Sequence, residues 1–153
     1  MNIGLSPVRN FGIVDETKKL YRSAQPQYSY EYKWIKNALG VNTIFNLRSE
    51  LDHDTRMTKD LGIEVKTVNI PDHHIPTLEQ ANEFIDFVKD NEGILFHCEH
   101  GQGRTSTFCV LARLAMGWSL EDAIKEENDV YGYCFKHPEQ LSFLTDNFSN
   151  FKL

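Results

Sequence analysis

A short apolar run, Ile94-Leu95-Phe96, passes directly into His97-Cys98-Glu99-His100-Gly101-Gln102-Gly103-Arg104-Thr105 and then into an apolar stretch that reaches Met116. No other feature constrains the fold of this chain as much. A few consecutive apolar residues bounded by turn signals read as a strand buried on both faces, in a sheet covered by helices on each side. Residues 105–116 read as an apolar helix, stopped near Gly117. A strand–turn–helix unit places its loop beyond the carboxyl end of a sheet strand, where open α/β sheets hold ligands.

The remaining sequence alternates in the same way. Tyr30 to Leu39 reads as a helix, with Gly40 suited to the left-handed position after it. Val41 to Leu47 is apolar and β-branched, as a strand requires. Residues 52–61 read as a short helix ended by Gly62, and Ile63 to Ile70 alternates apolar with polar like a half-buried strand. Pro71-Asp72-His73-His74-Ile75-Pro76 breaks regular structure. Thr77 and Gln80 form a capping box for a helix with Ala81, Phe84, Ile85 and Val88 on one stripe. Ser119 opens another helix. Pro138 opens a last one, with Leu141, Leu144 and Phe148 as its expected buried stripe. The pattern predicts an α/β fold, a central sheet flanked by helices. With no repeat, low-complexity tract or linker, residues 1–153 read as a single domain, and a hydrophobic content of 41% is enough for its core.

The net charge is −6 and the pI near 5.5, so the surface as a whole does not attract polyanions. Nucleic acid and membrane surfaces are therefore not expected partners, and an anion site must be local. Three cysteines without framework spacing point to reduced thiols in the cytoplasm. The N-terminal residues carry no secretory signal pattern, and no apolar stretch approaches the ~20 residues of a membrane span.

The loop itself predicts oxyanion chemistry. Backbone N–H groups at a helix N-terminus lack intrahelical partners and carry partial positive charge, so several can converge on one phosphate. Gly101 and Gly103 let the amides of Glu99, His100, Gly101, Gln102, Gly103 and Arg104 curl toward one focus. Arg104 adds a planar fork for two phosphate oxygens, which lysine does not reproduce. The same field favours thiolate at Cys98, which makes it the expected nucleophile. His97 is placed to fix the loop through backbone hydrogen bonds. Thr105 is placed to donate its hydroxyl to the sulfur and assist its departure. His97 and Cys98 adjoin on a strand end and diverge, so no metal or other cofactor is expected.

The segment His97-Cys98-Glu99-His100-Gly101-Gln102-Gly103-Arg104-Thr105 resembles the signature loop of the cysteine-dependent protein tyrosine and dual-specificity phosphatases. Tyr21-Arg22-Ser23-Ala24-Gln25-Pro26 and Asn46-Leu47-Arg48-Ser49-Glu50 resemble further segments of its small bacterial and fungal members. The resemblance implies a mixed, mostly parallel sheet, a phosphocysteine intermediate and no metal. Asp72 stands 26 residues before Cys98 on a proline-flanked loop, and the resemblance implies that it is the general acid and base. From residue chemistry alone Asp72 reads equally as a turn aspartate after proline. Glu79 and Asp54 are weaker acid candidates. Arg22, Arg48 and Glu50 are candidates to ring the pocket, Glu50 by pairing with Arg104 and aiming its fork. His73 and His74 are open between substrate contact and solvation. Cys109 reads as core and Cys134 as packing.

The expected activity is phosphomonoester hydrolysis on a phosphorylated protein, tyrosine-specific or dual-specificity, or on a small phosphate ester, by a monomer. An inositol phosphate or phosphoinositide phosphatase is the alternative: Asp72-His73-x-x-Pro76-Thr77 with the cysteine loop resembles the bacterial phytase-like branch, from which His100 departs. RNA triphosphatases share a similar loop, but Asp72 counts against them. A phosphate-binding module without catalysis is a third reading, disfavoured because cysteine, arginine and acid are all present.

Overall fold

The computed structural model describes residues 5–50, 55–72, 74–132, 135 and 137–153; Asp54, His73 and Cys134 lie outside them. Five strands, β1 (Gly12–Asp15), β2 (Leu20–Ser23), β3 (Thr43–Asn46), β4 (Glu64–Thr67) and β5 (Ile94–His97), form one sheet in the order β1-β2-β5-β3-β4. The pairs β2–β5, β5–β3 and β3–β4 are parallel, and only β1 runs antiparallel, on β2. The sheet is mixed and mostly parallel, with the cysteine loop leaving its central strand.

Side-chain alternation divides the core. Tyr21, Ile44 and Leu95 point to one face, where they meet Ile35 of α1 (Ser29–Asn37), Leu39 just after it, and Ile63, which follows α2 (Thr55–Asp60). Leu20, Phe45, Ile94 and Phe96 point to the other face, against α3 (Leu78–Asp90) and α4 (Arg104–Ala115). There Phe84 meets Phe45, Phe96 and Phe108 edge to face, with centroids 5.2, 5.4 and 4.8 Å away, a favoured aromatic geometry. The chain closes with α5 (Leu120–Tyr131), α6 (Pro138–Asn147) and a 3₁₀ turn at Phe148–Asn150. Every residue of α4 from Arg104 to Leu114 is buried. A helix so enclosed gives its first turn, which belongs to the loop, a rigid support.

Local rules set the boundaries. Thr77 Oγ1 accepts from the Gln80 amide at 3.0 Å and Gln80 Oε1 from the Thr77 amide at 2.9 Å, completing the capping box of α3. Ser119 caps α5, its Oγ accepting from the Asp122 amide at 3.1 Å.

Two findings differ from the sequence reading. The hairpin β1–β2 was not foreseen; its turn is held by Asp15 Oδ1, which accepts from the Lys18 amide at 2.9 Å and the Thr17 hydroxyl at 2.7 Å. The buried face of α6 is also rotated from the predicted stripe. Gln140, Phe143 and Leu144 are buried, whereas Leu141 and Phe148 are 37% and 39% exposed. Residues 140, 143 and 144 share a helical face as well as 141, 144 and 148 do, and it is Gln140 that turns toward the cysteine loop.

Candidate active site

From His97 to Gly103 the loop turns each of its carbonyls onto a donor. The His97 carbonyl accepts from the Leu47 amide at 2.9 Å, Cys98 from His97 Nδ1 at 3.0 Å, and Glu99 from the Gln25 amide at 3.0 Å. The His100 carbonyl accepts from Asn10 Nδ2 and the Gly101 carbonyl from Arg22 Nη2. The Gln102 carbonyl accepts from the Thr105 amide at 3.4 Å, and the Gly103 carbonyl from the Thr107 amide and hydroxyl, each at 3.0 Å. A peptide group whose carbonyl is held on one side presents its N–H on the other. Among the described residues, none of the amides of residues 99–104 meets a protein acceptor. They are left for an anion, as helix N-termini and backbone nests allow. The glycines are sterically required. At Gly101, with φ +79°, a Cβ would lie 2.9 Å from the Ala24 nitrogen, and at Gly103, with φ +59°, 3.1 Å from Gln140 Nε2.

Cys98 lies at the floor, 3% exposed. Its Sγ accepts from the Thr105 hydroxyl and stands against the Gln102 carbonyl, both at 2.9 Å. Arg104 lines the same cavity as Cys98 and is itself almost fully buried. Nη1 and Nη2 donate to Glu50 Oε1 and Oε2 at 2.8 and 3.0 Å, and Nη1 also donates to the Ile70 carbonyl at 2.9 Å. Asp72 Oδ1 is 3.3 Å from Nη2. Burial opposes the charge on Arg104, but Glu50, Cys98 and Asp72 outweigh it and raise the guanidinium above its ordinary range. A cavity of about 230 Å³ is lined by Asp72, Cys98 and Arg104 together with Glu99, His100, Gln102, Gly103 and Gln140.

The structure thus brings Cys98, Glu99, His100, Gln102, Gly103, Arg104 and Asp72 to one cavity; Thr105 is buried and reaches it only through Cys98 Sγ, and Gly101 does not line it. Glu50 pairs with Arg104, and Arg48 reaches both Glu50 at 3.0 Å and Glu99 at 3.6 Å. Two candidates, Glu79 and Arg22, go elsewhere, and Cys109 is in the core as its sequence reads. Glu79 sits in the first turn of α3, lining a different surface pocket. Cys109 is fully buried in the core, where burial pushes its thiol up. Arg22 is fully buried beneath the loop and lines no part of the cavity described. Sequence reasoning missed Gln140, Asn10 and Gln25. Gln140 comes from α6 and no local pattern marks it. The Tyr21–Pro26 segment was singled out, but that its backbone would brace the loop has no signature in residue type.

Glu50, Asp72 and Glu99 hold carboxylate oxygens within 4.8 Å of one another. Arg104 and Arg48 supply their counter-charge, so this is an ion-paired rim rather than an evident cation site. The Arg104 hydrogen bonds hold the Glu50 carboxyl down from 4.5 to about 2, against the smaller opposing effect of burial. A depressed carboxyl contributes stability above its unfolded pKa and loses it as pH falls through the folded one. Glu50→Gln is therefore expected to flatten the acid limb of stability between about pH 4.5 and 2, read as melting temperature against pH. An acid limb identical to that of the unsubstituted protein would contradict the pair.

A family model described as "Polymorphic toxin system, DSP-PTPase phosphatase" matches residues 18–117. The effector protein hopD2 of Pseudomonas syringae pv. tomato is 31% identical over 70 residues, a stretch covering 43% of this chain and 14% of that relative. Among solved structures, a mutant form of Tk-PTP superposes with a TM-score of 0.79 at 22% identity, covering 95% of this chain and 97% of that one. The core catalytic domain of the PP-IP phosphatase SIW14 from S. cerevisiae superposes at 0.76 with 20% identity, covering 96% of each chain. At these identities the superpositions establish the fold.

Proposed function

The chain belongs to the DSP-PTPase phosphatase family of polymorphic toxin systems, and on that premise we propose that it hydrolyses phosphate monoesters of proteins, tyrosine-specific or dual-specificity, through a phosphocysteine at Cys98. It is a cysteine-dependent phosphatase; the residue roles and the substrate are the proposal. The observation that carries them is the loop itself, whose carbonyls are all turned onto donors and whose buried Cys98 lines one cavity with Arg104.

In the first step the Cys98 sulfur, its hydrogen lost, attacks phosphorus. The P–S bond forms as the P–O bond to the leaving group breaks, and Asp72 supplies a proton to the departing oxygen. In the second step water attacks the phosphocysteine, Asp72 takes the proton, and the sulfur leaves with the Thr105 hydroxyl donated to it. The amides of residues 99–104 and the Arg104 fork hold the nonbridging oxygens in both steps. Such preorganised donors supply the largest part of transition-state stabilisation. No described helix is long and apolar enough to cross a membrane, and a phosphorylated substrate approaching through solvent suits the open cavity.

The rim favours a singly phosphorylated ester. Carboxylates of Glu50, Asp72 and Glu99 crowd its edge, and among the described residues no lysine lines the cavity. A substrate with several phosphates would set its additional charges against them. The structural relative SIW14 is a PP-IP phosphatase, which makes an inositol phosphate the alternative substrate to assay. With chelator present, the purified protein is expected to hydrolyse p-nitrophenyl phosphate and a phosphotyrosine peptide. Its kcat/KM for inositol hexakisphosphate should be lower by about tenfold or more, the equivalent of one repelled charge pair. A preference for the hexakisphosphate would overturn the protein-phosphatase reading. Loss of all turnover with chelator would overturn a metal-independent one, and silence on every substrate would favour a binding module.

A further inference from the structure

Beneath the loop lies a charged cluster for which the chemical steps have no use. Arg22 of β2, Arg113 of α4 and Glu127 of α5 are 0%, 4% and 0% exposed. Glu127 Oε1 accepts from Arg22 Nη1 and from the Ser106 hydroxyl, the latter at 2.9 Å, and Oε2 accepts from Arg113 Nη1 at 2.7 Å. The Arg22 guanidinium lies 3.7 Å from the centre of the Tyr131 ring, and its Nη1 contacts Cys109 Sγ at 3.0 Å. Its other terminal nitrogen, Nη2, is spent on the Gly101 carbonyl.

Stability alone does not call for such a cluster. Well-packed apolar residues generally stabilise a core as well as a buried ion pair, because charges lose their hydration on burial. What apolar residues lack is a donor for a buried carbonyl. We propose that Glu127 is a positioning residue of the phosphatase site. It fixes the Arg22 fork so that Nη2 holds the Gly101 carbonyl away from the cavity, which turns the following Gln102 amide toward the bound oxyanion. Neither Glu127 nor Arg22 lines the cavity, and they are 105 residues apart in sequence. Through them α5, which follows the loop-bearing helix, becomes part of the oxyanion site. The inference rests on the phosphatase reading above.

Two variants test it, with tungstate affinity and kcat/KM on p-nitrophenyl phosphate read well below each protein's melting temperature. Arg113→Met with Glu127→Gln removes one cation together with the anion, so the buried net charge is unchanged. Arg22→Lys keeps a cation for Glu127 but has one nitrogen, which cannot serve both partners. Both are expected to weaken tungstate binding about tenfold or more, the usual consequence of losing a charge-assisted hydrogen bond. Arg113→Met alone should lower stability while leaving tungstate affinity within about twofold, since it leaves the Gly101 link in place. Folded variants that bind tungstate as the unsubstituted protein does would overturn the positioning role. So would failure of both to fold, which would make the cluster structural only. An unsubstituted protein that neither binds tungstate nor turns over the ester would instead sink the phosphatase reading itself.

Discussion

Cys98→Ser is expected to lower turnover of p-nitrophenyl phosphate by more than about 10⁴-fold, in the range seen when a covalent nucleophile is removed. Binding of inorganic phosphate or tungstate should persist. The two halves of this result come from separate parts of the site. Sulfur supplies the bond to phosphorus, and a serine hydroxyl in its place has no neighbouring base among the described loop residues: Thr105 donates to this position rather than accepting from it. The amides of residues 99–104 and the Arg104 fork remain where α4 and the donors to the loop carbonyls place them. Steady-state kinetics and calorimetric titration with tungstate measure the two separately. A serine protein with unchanged rate would remove Cys98 from the chemistry. One that lost rate and tungstate binding equally would show that the substitution had disturbed the cup.

Asp72→Ala is expected to cost about 10² to 10⁴ in kcat on alkyl or peptide phosphates, the usual contribution of a positioned general acid. The penalty should shrink on aryl esters whose leaving group departs without a proton, because there the first step no longer uses the acid. Asp72 lines the same cavity as Cys98, and its carboxylate is half exposed there. Its contact with Arg104 carries the rival explanation, a purely electrostatic role. A leaving-group series separates the two: an equal loss across the series would assign Asp72 to Arg104 and not to proton transfer.

The parts of the molecule legible in the sequence are those decided within a few residues. The order of β5, the cysteine loop and α4 follows from an apolar run, two glycines and a second apolar run. The capping box of α3 and the serine cap of α5 are short-range hydrogen bonds, and both occur as read. The hairpin β1–β2 escaped because Gly12–Asp15 and Leu20–Ser23 each hold two adjacent apolar residues beside polar ones or glycine, neither an apolar run nor an alternation. From sequence Arg22 reads as a candidate to ring the pocket or as one half of a surface ion pair, because a lone arginine shows no buried partner nearby. Arg22 is buried on β2 because Glu127 of α5 neutralises it, a pairing only the tertiary fold creates. Gln140 was invisible for a related reason: in the last helix a polar residue beside Leu141 reads as surface, yet it is 1% exposed at the wall of the cavity.

The central claim is that phosphorus is transferred to the sulfur of Cys98 before it reaches water. Acid quenching during turnover of a labelled aryl phosphate, followed by peptide mapping, tests it most directly, and Asp72→Ala protein offers the best chance of accumulation because Asp72 is also the base of the second step. The expected result is one phosphoryl group on the peptide containing Cys98, stable in acid and absent from Cys98→Ser protein. Rapid turnover with label released only as free phosphate, and none on that peptide at any quench time, would contradict it.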